Sequence, residues 1–261
     1  MAYNRSFLVL TYRLPKEGSE VEVHVRVHWN EKDKALKLAL PTVFSGCEYR
    51  GQVAYGRDNL PGKEREVVAQ KWVAAVSKAR DMALTCINDG LYGSDCPNNE
   101  IRLTLLRSPA YSAHPFGNRK TLPQDRYMPR IDQGERQFTF WINAGPVEDR
   151  MNRVEREALS HNEKPMALSF YPPGIGAMSP PGVVLSDNTI LMTAFKGAEN
   201  GEGFVVRLFE PTGTARSATL YIPSLGVEQS VALKPFEIKS PRLLSGENFL
   251  RGVDLLEQET P

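Results

Sequence analysis

The chain has 261 residues, of which 41% are hydrophobic and 24% are charged, as in an ordinary globular protein with a sizeable core. Its 32 basic and 31 acidic residues leave a net charge of +1, which excludes an overall field that attracts nucleic acid or a membrane surface. The apolar runs are far shorter than the ~20 residues of a membrane span, and the first residues lack a secretory signal. We therefore expect a soluble protein, cytoplasmic by default, without nucleic-acid or membrane partners.

β-Strands are the dominant predicted element. Residues 21–29, "VEVHVRVHW", alternate between valine and polar residues, which predicts a strand with one solvated face. Residues 34–41 follow the turn-like "NEKDK", so the two segments are predicted to form a hairpin. Turn residues separate further predicted strands, which lie at 6–13, 82–87, 101–106, 137–143, 166–171, 189–195, 203–209, 217–222 and 228–233.

Helix is predicted in two places. Residues 146–165 are acidic near their start and end at a proline, as a helix does. Residues 62–81 are rich in Ala, Glu and Lys and favour helix by propensity, although Trp72, Ala74 and Val76 also fit one face of a strand.

A segment with four prolines and three glycines, residues 171–182, predicts a connector because no regular element tolerates that composition. It divides the chain into a larger β unit, residues 1–175, and a small C-terminal β-sandwich, residues 183–261. Many short strands with Gly, Asn and Pro between them predict an all-β, antiparallel fold.

Cysteine and histidine offer little chemistry in this sequence. Cys86 and Cys96 could face each other across a hairpin, but buried free thiols are the preferred interpretation. His24 and His28 share a strand face, about 13 Å apart at four residues' separation, which is too far for one metal ion. No metal site and no catalytic residue is assigned.

Aromatic and acidic residues near strand ends are the remaining candidates for sugar contact. Asp132 precedes Gly134 and a strand, so it is either a turn aspartate that bonds its own backbone or part of a sugar-facing loop. Sugar rings stack on aromatic side chains, and four of these lie near predicted strand ends: Tyr92, Tyr111, Trp141 and Tyr171.

The stretch "CINDGLYGSDCPNNEIRLTLLRSP", residues 86–109, resembles the C-terminal β region of glycoside hydrolase family 38, the α-mannosidases. Other segments resemble that region in the same order along the chain, except that Arg136 stands where many relatives have a histidine. These segments are "VRVHWNEKDKALKLALP", "QVAYGRDNLP" with "KWVA", "DQGERQFTFWINAGP", "REALSHNEKP", "FVVRLFEPTG" and "SVALKPFEIKSPRL".

The resemblance implies a partial mutarotase-like supersandwich followed by a small immunoglobulin-like sandwich. It also implies that the N-terminal catalytic barrel, with its zinc or other divalent ion and its aspartate nucleophile, is missing here. Asn88-Asp89-Gly90 is expected to form a tight turn with positive φ, and the chemistry to lie in the barrel. Tyr92, Asp132 and Arg136 are candidates for the border of the substrate site.

The resemblance thus predicts the C-terminal domain of a retaining α-mannosidase, inactive without its barrel. Its expected partners are that barrel and mannose-containing glycans, and unpaired sheet edges predict self-association. The alternatives are a stand-alone carbohydrate-binding module, a remnant without ligand, and a mutarotase-like epimerase, which needs a histidine and a glutamate in one cleft.

Overall fold

The structure is a computed structural model that describes residues 1–111, 129–169, 171, 174–176 and 181–259. It contains nineteen short strands and one long helix in those ranges. The strands of the first half are β1 (Ala2–Tyr3), β2 (Ser6–Arg13), β3 (Val21–Trp29), β4 (Ala35–Pro41), β5 (Glu48–Val53), β6 (Gly56–Asn59), β7 (Val67–Val68), β8 (Trp72–Ser77), β9 (Met82–Asn88), β10 (Gly93–Asp95), β11 (Glu100–Arg107) and β12 (Gly134–Gly145).

The helix α1 (Val147–Asn162) follows β12 and confirms the prediction for residues 146–165. The strands of the second half are β13 (Val184–Leu185), β14 (Leu191–Gly197), β15 (Phe204–Phe209), β16 (Arg216–Ile222), β17 (Val227–Leu233), β18 (Ile238–Leu243) and β19 (Leu250–Val253). Short 3-10 turns lie at Lys78–Arg80, Pro97–Asn99 and Pro223–Leu225.

The chain divides into two compact units. The first comprises residues 1–52 and 58–150, and the second comprises residues 53–57 and 151–261. This division falls inside α1, earlier than the connector predicted at 171–182, so the predicted domain bounds of 1–175 and 183–261 stay a prediction. None of the helices in the described part of the chain is both long and apolar enough to cross a bilayer.

The first unit is built on two antiparallel sheets. The larger has the strand order β1-β2-β3-β12-β9-β8-β5-β6, and the smaller has the order β4-β11-β10-β7. One core joins them, because alternate residues of facing strands point inward. Its members include Val23, Val25 and Val27 of β3, Phe140 of β12, and Leu103 of β11.

The second unit has two smaller antiparallel sheets, of order β13-β16-β17 and β14-β15-β18-β19. Their inward-facing residues form a separate apolar core that includes Leu208, Leu220, Ile222 and Val227, each at most 1% exposed. The all-β sandwich class predicted from the sequence is thereby confirmed.

The predicted helix at 62–81 is wrong, and the strand alternative is confirmed. All six residues of β8 are buried, from Trp72 to Ser77, so both faces of this strand are covered. Burial on both faces favours a central strand over a surface helix, and that tertiary term outweighs the helix propensity of alanine.

The predicted hairpin of residues 21–29 with 34–41 is also wrong. β3 pairs with β2 and β12 in the larger sheet, whereas β4 pairs with β11 in the smaller one. The turn between them crosses from one sheet to the other, which local sequence patterns do not reveal.

Two other predictions have different outcomes. The strand predicted at residues 166–171 is absent from residues 166–169. Met166 is 89% exposed and Leu168 is 76% exposed, so no buried apolar face stabilises a strand there. Residue 170 lies outside the described residues.

The prediction of free thiols is confirmed, since all three cysteines are buried and unbridged. Cys86 and Cys96 do not face each other across a hairpin, because β9 and β10 belong to different sheets.

Candidate functional site

Three loops meet where the Trp-Asn-Glu and Arg-Ser-Pro segments lie, and we call residues 29–34, 107–111 and 129–134 the loop corner. The indole Nε1 of Trp29 donates a hydrogen bond to Ser108 Oγ at 3.0 Å. The Ser108 N–H in turn donates to the Lys34 carbonyl at 2.8 Å, and the Asp33 N–H donates to the Ser108 carbonyl at 2.8 Å. Segments about 80 residues apart in sequence are therefore joined by a buried serine.

Arg130 closes the loop corner from the third loop. Its guanidinium donates two hydrogen bonds to the Asp33 carboxylate, both at 3.2 Å, while its own side chain is only 1% exposed. Such a paired arrangement orients the charge and satisfies its donors. These contacts tie the three loops together directly before β12.

Asp132 lies in this corner and acts on the backbone. Its Oδ2 accepts a hydrogen bond from the Arg107 N–H at 3.2 Å, and its φ of 55° is in the left-handed region that aspartate tolerates in turns. The carboxylate thus fixes the end of β11 across 25 residues of sequence. Asp132 thus lies at a turn-like backbone position, but its carboxylate bonds a backbone group across the corner and not its own backbone as predicted.

Arg136 lies two residues into β12 and is exposed. In the β3–β12 ladder it stands opposite Val27, whose side chain is in the core. Directly opposed residues share a sheet face. Arg136 is therefore on the inward face of the larger sheet, near the start of β12 beside the loop corner. Its Nη1 donates to the Glu135 carbonyl at 2.9 Å.

Tyr92 belongs to a different loop, between β9 and β10. The loop turns at Gly90, whose φ of +85° confirms the predicted tight turn, and Asn88 Oδ1 closes it by accepting from the Leu91 N–H at 2.9 Å. Tyr92 accepts a backbone hydrogen bond from Ala69 and its side chain is 53% exposed. Asp132 is hydrogen-bonded within the loop corner, to Arg107, whereas Tyr92 is hydrogen-bonded to Ala69 outside it.

An ion-pair cluster three residues beyond Tyr92 was not foreseen in the sequence. Arg102 Nε and Nη2 donate to the two Asp95 oxygens at 2.7 and 2.8 Å, and Lys37 Nζ lies 2.9 Å from Asp95 Oδ2. Burial alone raises the pKa of Asp95, but the two cations outweigh it and hold that pKa below its usual value. The cluster joins three strands of the smaller sheet, since Lys37 is on β4, Asp95 on β10 and Arg102 on β11.

A second charged cluster lies on the outer face of the larger sheet. His24 Nε2 contacts Glu22 Oε1, Arg13 Nη1 donates to the same oxygen at 3.1 Å, and Trp141 Nε1 donates to Glu22 Oε2 at 3.1 Å. The hydrogen bond with His24 is the largest cause that lowers the pKa of Glu22. His28, on the same face, stacks on Phe7 with ring centroids 5.2 Å apart.

The structure brings a histidine and a glutamate together, yet on an open sheet face and not in a cleft. Within the described ranges, no three His, Cys, Asp or Glu side chains are grouped so that they could hold a metal ion. The resemblance assigns the zinc or other divalent ion to the catalytic barrel, and that assignment stays a prediction.

An apolar cavity of about 420 Å³ lies between β1, β2, β3 and β4, and none of the three predicted border residues lines it. Its walls include Leu8, Trp29 and Leu36. Lys34 Nζ donates to the Tyr3 hydroxyl at 2.6 Å at its edge. This cavity can accommodate an apolar group but contains no acid–base pair.

Comparison with known proteins places these features in a family context. The sequence model for "Glycosyl hydrolases family 38 C-terminal domain" matches residues 2–126. The chain is 25% identical to Alpha-mannosidase G of Dictyostelium discoideum, over 87% of this chain and 22% of that protein. It is 29% identical to mouse Alpha-mannosidase 2C1 over 34% of this chain and 9% of that protein.

Two solved structures from Enterococcus faecalis share the fold. One is an α-mannosidase, with a TM-score of 0.72 and 16% identity over 90% of this chain and 28% of that one. The other is described as a protein in the glycosyl hydrolase family 38, with a TM-score of 0.74 and 18% identity over 90% and 29% of the two chains. The chain thus spans between about a fifth and three tenths of the length of these proteins where the match is extensive.

Proposed function

Because nearly half of this chain matches the C-terminal domain of the family 38 glycosyl hydrolases, we propose that it serves as the β domain of an α-mannosidase and borders the substrate site of a separate catalytic part. The observation that carries the proposal is the match of residues 2–126 to that domain, which covers most of the two-sheet unit and the Arg-Ser-Pro part of the loop corner. The chemistry is retaining hydrolysis of terminal α-mannosyl residues, and this chain contributes support and substrate contacts.

The proposed partner is the catalytic barrel, encoded separately or elsewhere, and the proposed ligands are mannose-containing glycans. A zinc or other divalent ion belongs to that barrel in this proposal, since the described residues offer no grouped ligands for it. Self-association through a sheet edge is a further part of the proposal for the isolated chain.

In this proposal, Tyr92, Asp132 and Arg136 have different roles at the border of the substrate site. Arg136 is exposed near the start of β12, and Tyr92 presents half of its ring to solvent. A guanidinium and a phenol at such positions can donate hydrogen bonds to sugar hydroxyls. Asp132 positions the corner by holding the Arg107 N–H.

The test is hydrolysis of a chromogenic α-mannoside with zinc and with cobalt. We expect the purified chain alone to be silent, and the affinity-tagged chain to retrieve α-mannosidase activity from an extract of its source cells. Activity from the chain alone would overturn the proposal and require a carboxylate pair inside the sandwich. An extract that yields no activity with the tagged chain would contradict it equally.

A matched pair of variants tests the border. Arg136→Ala is expected to raise KM of the retrieved activity several-fold with an unchanged melting temperature. Arg26→Ala removes an exposed arginine from the adjacent strand on the opposite sheet face, where it pairs with Glu135 at 2.9 Å, and is expected to leave KM unchanged. Equal KM values for both variants would remove Arg136 from the border.

A carbohydrate-binding module is the second candidate, because three of the four aromatic residues near predicted strand ends are exposed: Tyr92 at 53% and Tyr111 at 77% in the first unit, and Tyr171 at 88% in the second. The fourth, Trp141, is only 7% exposed and donates to Glu22, so it offers no exposed ring face to a sugar. A calorimetric titration with methyl α-mannoside separates the candidates, since saturable binding by the chain alone, lost in Tyr92→Ala, favours the module.

A further inference from the structure

One edge of the larger sheet is covered over only part of its length. Strand β1 pairs with the beginning of β2, where Ala2 faces Phe7 and Tyr3 faces Ser6. Beyond Leu8, residues 9–13 have β3 on one side and no partner strand among the described residues on the other. β2 is therefore an edge strand with a five-residue open segment.

The hydrogen bonds of Leu8 show which backbone groups of β2 point toward the open edge. Its N–H donates to the Met1 carbonyl at 2.9 Å, and its carbonyl accepts from the N-terminal amine at 2.8 Å, so both groups point away from β3. Successive residues of a strand alternate in this respect. The N–H and C=O groups of Leu10 and Tyr12 consequently point outward as well, and offer two donors and two acceptors.

This edge lacks the features that natural sheets use to prevent association. Strand β2 has no proline and a single charged residue, Arg13, at its end, whereas the free edge of β4 carries Lys37 and Pro41. Its side chains are also unusually apolar for an edge: Val9 is 49% exposed and Tyr12 is 62% exposed. An unprotected edge of this kind is a template for strand pairing.

We propose that a second copy of this chain adds its own β2 to this edge, antiparallel and about a two-fold axis at Thr11. Leu10 of each copy then lies opposite Tyr12 of the other, and these two pairs exchange four backbone hydrogen bonds. Thr11 faces Thr11 on the outer side of the sheet, and Val9 faces Arg13. The two larger sheets join into one continuous sheet.

The register explains why the occupant is a second copy. It uses all four outward groups of each open segment, and it leaves Leu8 with its Met1 partner. Leu10 and Tyr12 share the inward face, since they stand opposite Val25 and Val23, so an apolar and an aromatic side chain meet across the axis. Opposed Thr–Thr and apolar–aromatic pairs are favourable, and no like charges face each other. This inference rests on the edge geometry, so failure of the mannosidase test leaves it standing.

Sedimentation velocity and light scattering on the full chain test the assembly, and a concentration-dependent dimer is expected. Thr11→Lys places two ammonium groups opposite each other at the axis and should give a monomer with an unchanged circular dichroism spectrum. Val68→Lys is the matched control, because Val68 is an exposed valine, 73% accessible, on the edge strand β7 of the other sheet. That variant should still dimerise.

Cross-linking gives a second readout that does not depend on destabilising the chain. A non-hydrogen-bonded antiparallel pair places its Cα atoms about 4.5 Å apart, within the range that a disulfide spans. Thr11→Cys should therefore form a covalent dimer under mild oxidation, whereas Val9→Cys, ~13 Å from its counterpart, should not. A monomer at all concentrations, or a dimer that Thr11→Lys and Thr11→Cys leave unaffected, would overturn the proposal.

Discussion

The carboxylate of Glu210 shows how a charge is accommodated in the core of the second unit. Its side chain is fully buried, yet its oxygens accept backbone N–H donors of Thr212, Gly213 and Phe236 at 2.7, 2.8 and 3.1 Å. Burial raises the pKa of Glu210, but these hydrogen bonds, with that of the Thr212 hydroxyl, outweigh burial and lower it. The residue therefore organises the "EPTGT" turn around an anion.

Glu210→Gln is expected to lower the free energy of unfolding by about 2 kcal/mol, because one carboxylate oxygen that accepts N–H donors becomes an NH2 group. Since the folded pKa is lowered, the stabilisation is present above the unfolded pKa and is lost as pH falls through the folded value. Urea unfolding at neutral and acid pH measures both effects. Glu228→Gln, on an exposed position of β17, is the control; an equal loss in both variants would contradict the prediction.

Ser108 has a comparable role in the loop corner. Ser108→Ala leaves the buried indole N–H of Trp29 without its acceptor, which should cost about 1–3 kcal/mol of unfolding free energy. Ser45→Ala, at an exposed loop position, should cost almost nothing. A double-mutant cycle with Trp29→Phe isolates the pair, and additive losses would show that the two side chains do not interact.

At the scale of the element, the β14–β15 hairpin depends on two glycines with different constraints. Gly201 and Gly203 have φ of +81° and +84°. A Cβ at Gly201 meets nothing within 4 Å, whereas one at Gly203 collides with the Leu243 carbonyl of the neighbouring strand β18. Both glycines are favoured by their positive φ in the hairpin turn. Gly203 has a second constraint, because its backbone lies close to β18.

Gly201→Ala is expected to cost about 1 kcal/mol through its positive φ. Gly203→Ala should cost several kcal/mol, because β15 and β18 must also separate. Thermal denaturation of the two variants compares them directly, with Gly201→Ala as the internal reference for backbone strain. Melting temperatures lowered to the same extent would show that the close approach to Leu243 is absent in solution.

At the scale of the whole molecule, the two sheets of the first unit enclose all three cysteines. Burial raises the pKa of Cys86 well above its usual value, and burial together with the nearby Cys47 raises the pKa of Cys96 to about 12. The thiolates of Cys86 and Cys96 are thus scarce, and all three buried thiols become accessible when the sandwich opens.

Native protein is therefore expected to react with a thiol reagent at the rate of opening of the first unit, with all three cysteines reacting together in urea. Labelling followed by intact mass spectrometry measures this. Thr11→Cys, on the exposed outer face of β2, gives a control thiol that should react at once in the monomer. Rapid modification of Cys86 in native protein would contradict the enclosed core.

The sequence predicted most strands, the helix after β12 and the match to the family's C-terminal domain, because period-two alternation, helix-end residues and short motifs are local properties. It also predicted the positive φ at Gly90, but not that the Asp132 carboxylate bonds the distant Arg107 N–H. It did not predict the pairing of Lys37 with Asp95 or of Arg130 with Asp33, whose members are 58 and 97 residues apart in sequence. Two of the three border candidates, Asp132 and Arg136, follow one another closely on the chain, while Tyr92 lies in another loop.

By itself, the sequence determined the all-β class, the free thiols and the resemblance to the family, since these depend on composition, alternation and motif order. Only the tertiary structure decided that residues 72–77 form a strand and that β3 and β4 belong to different sheets. The physical reason is the same in both cases. Burial of a strand on both faces, and the choice between two sheets, are set by residues distant in the chain, whose contribution to the free energy exceeds any local propensity.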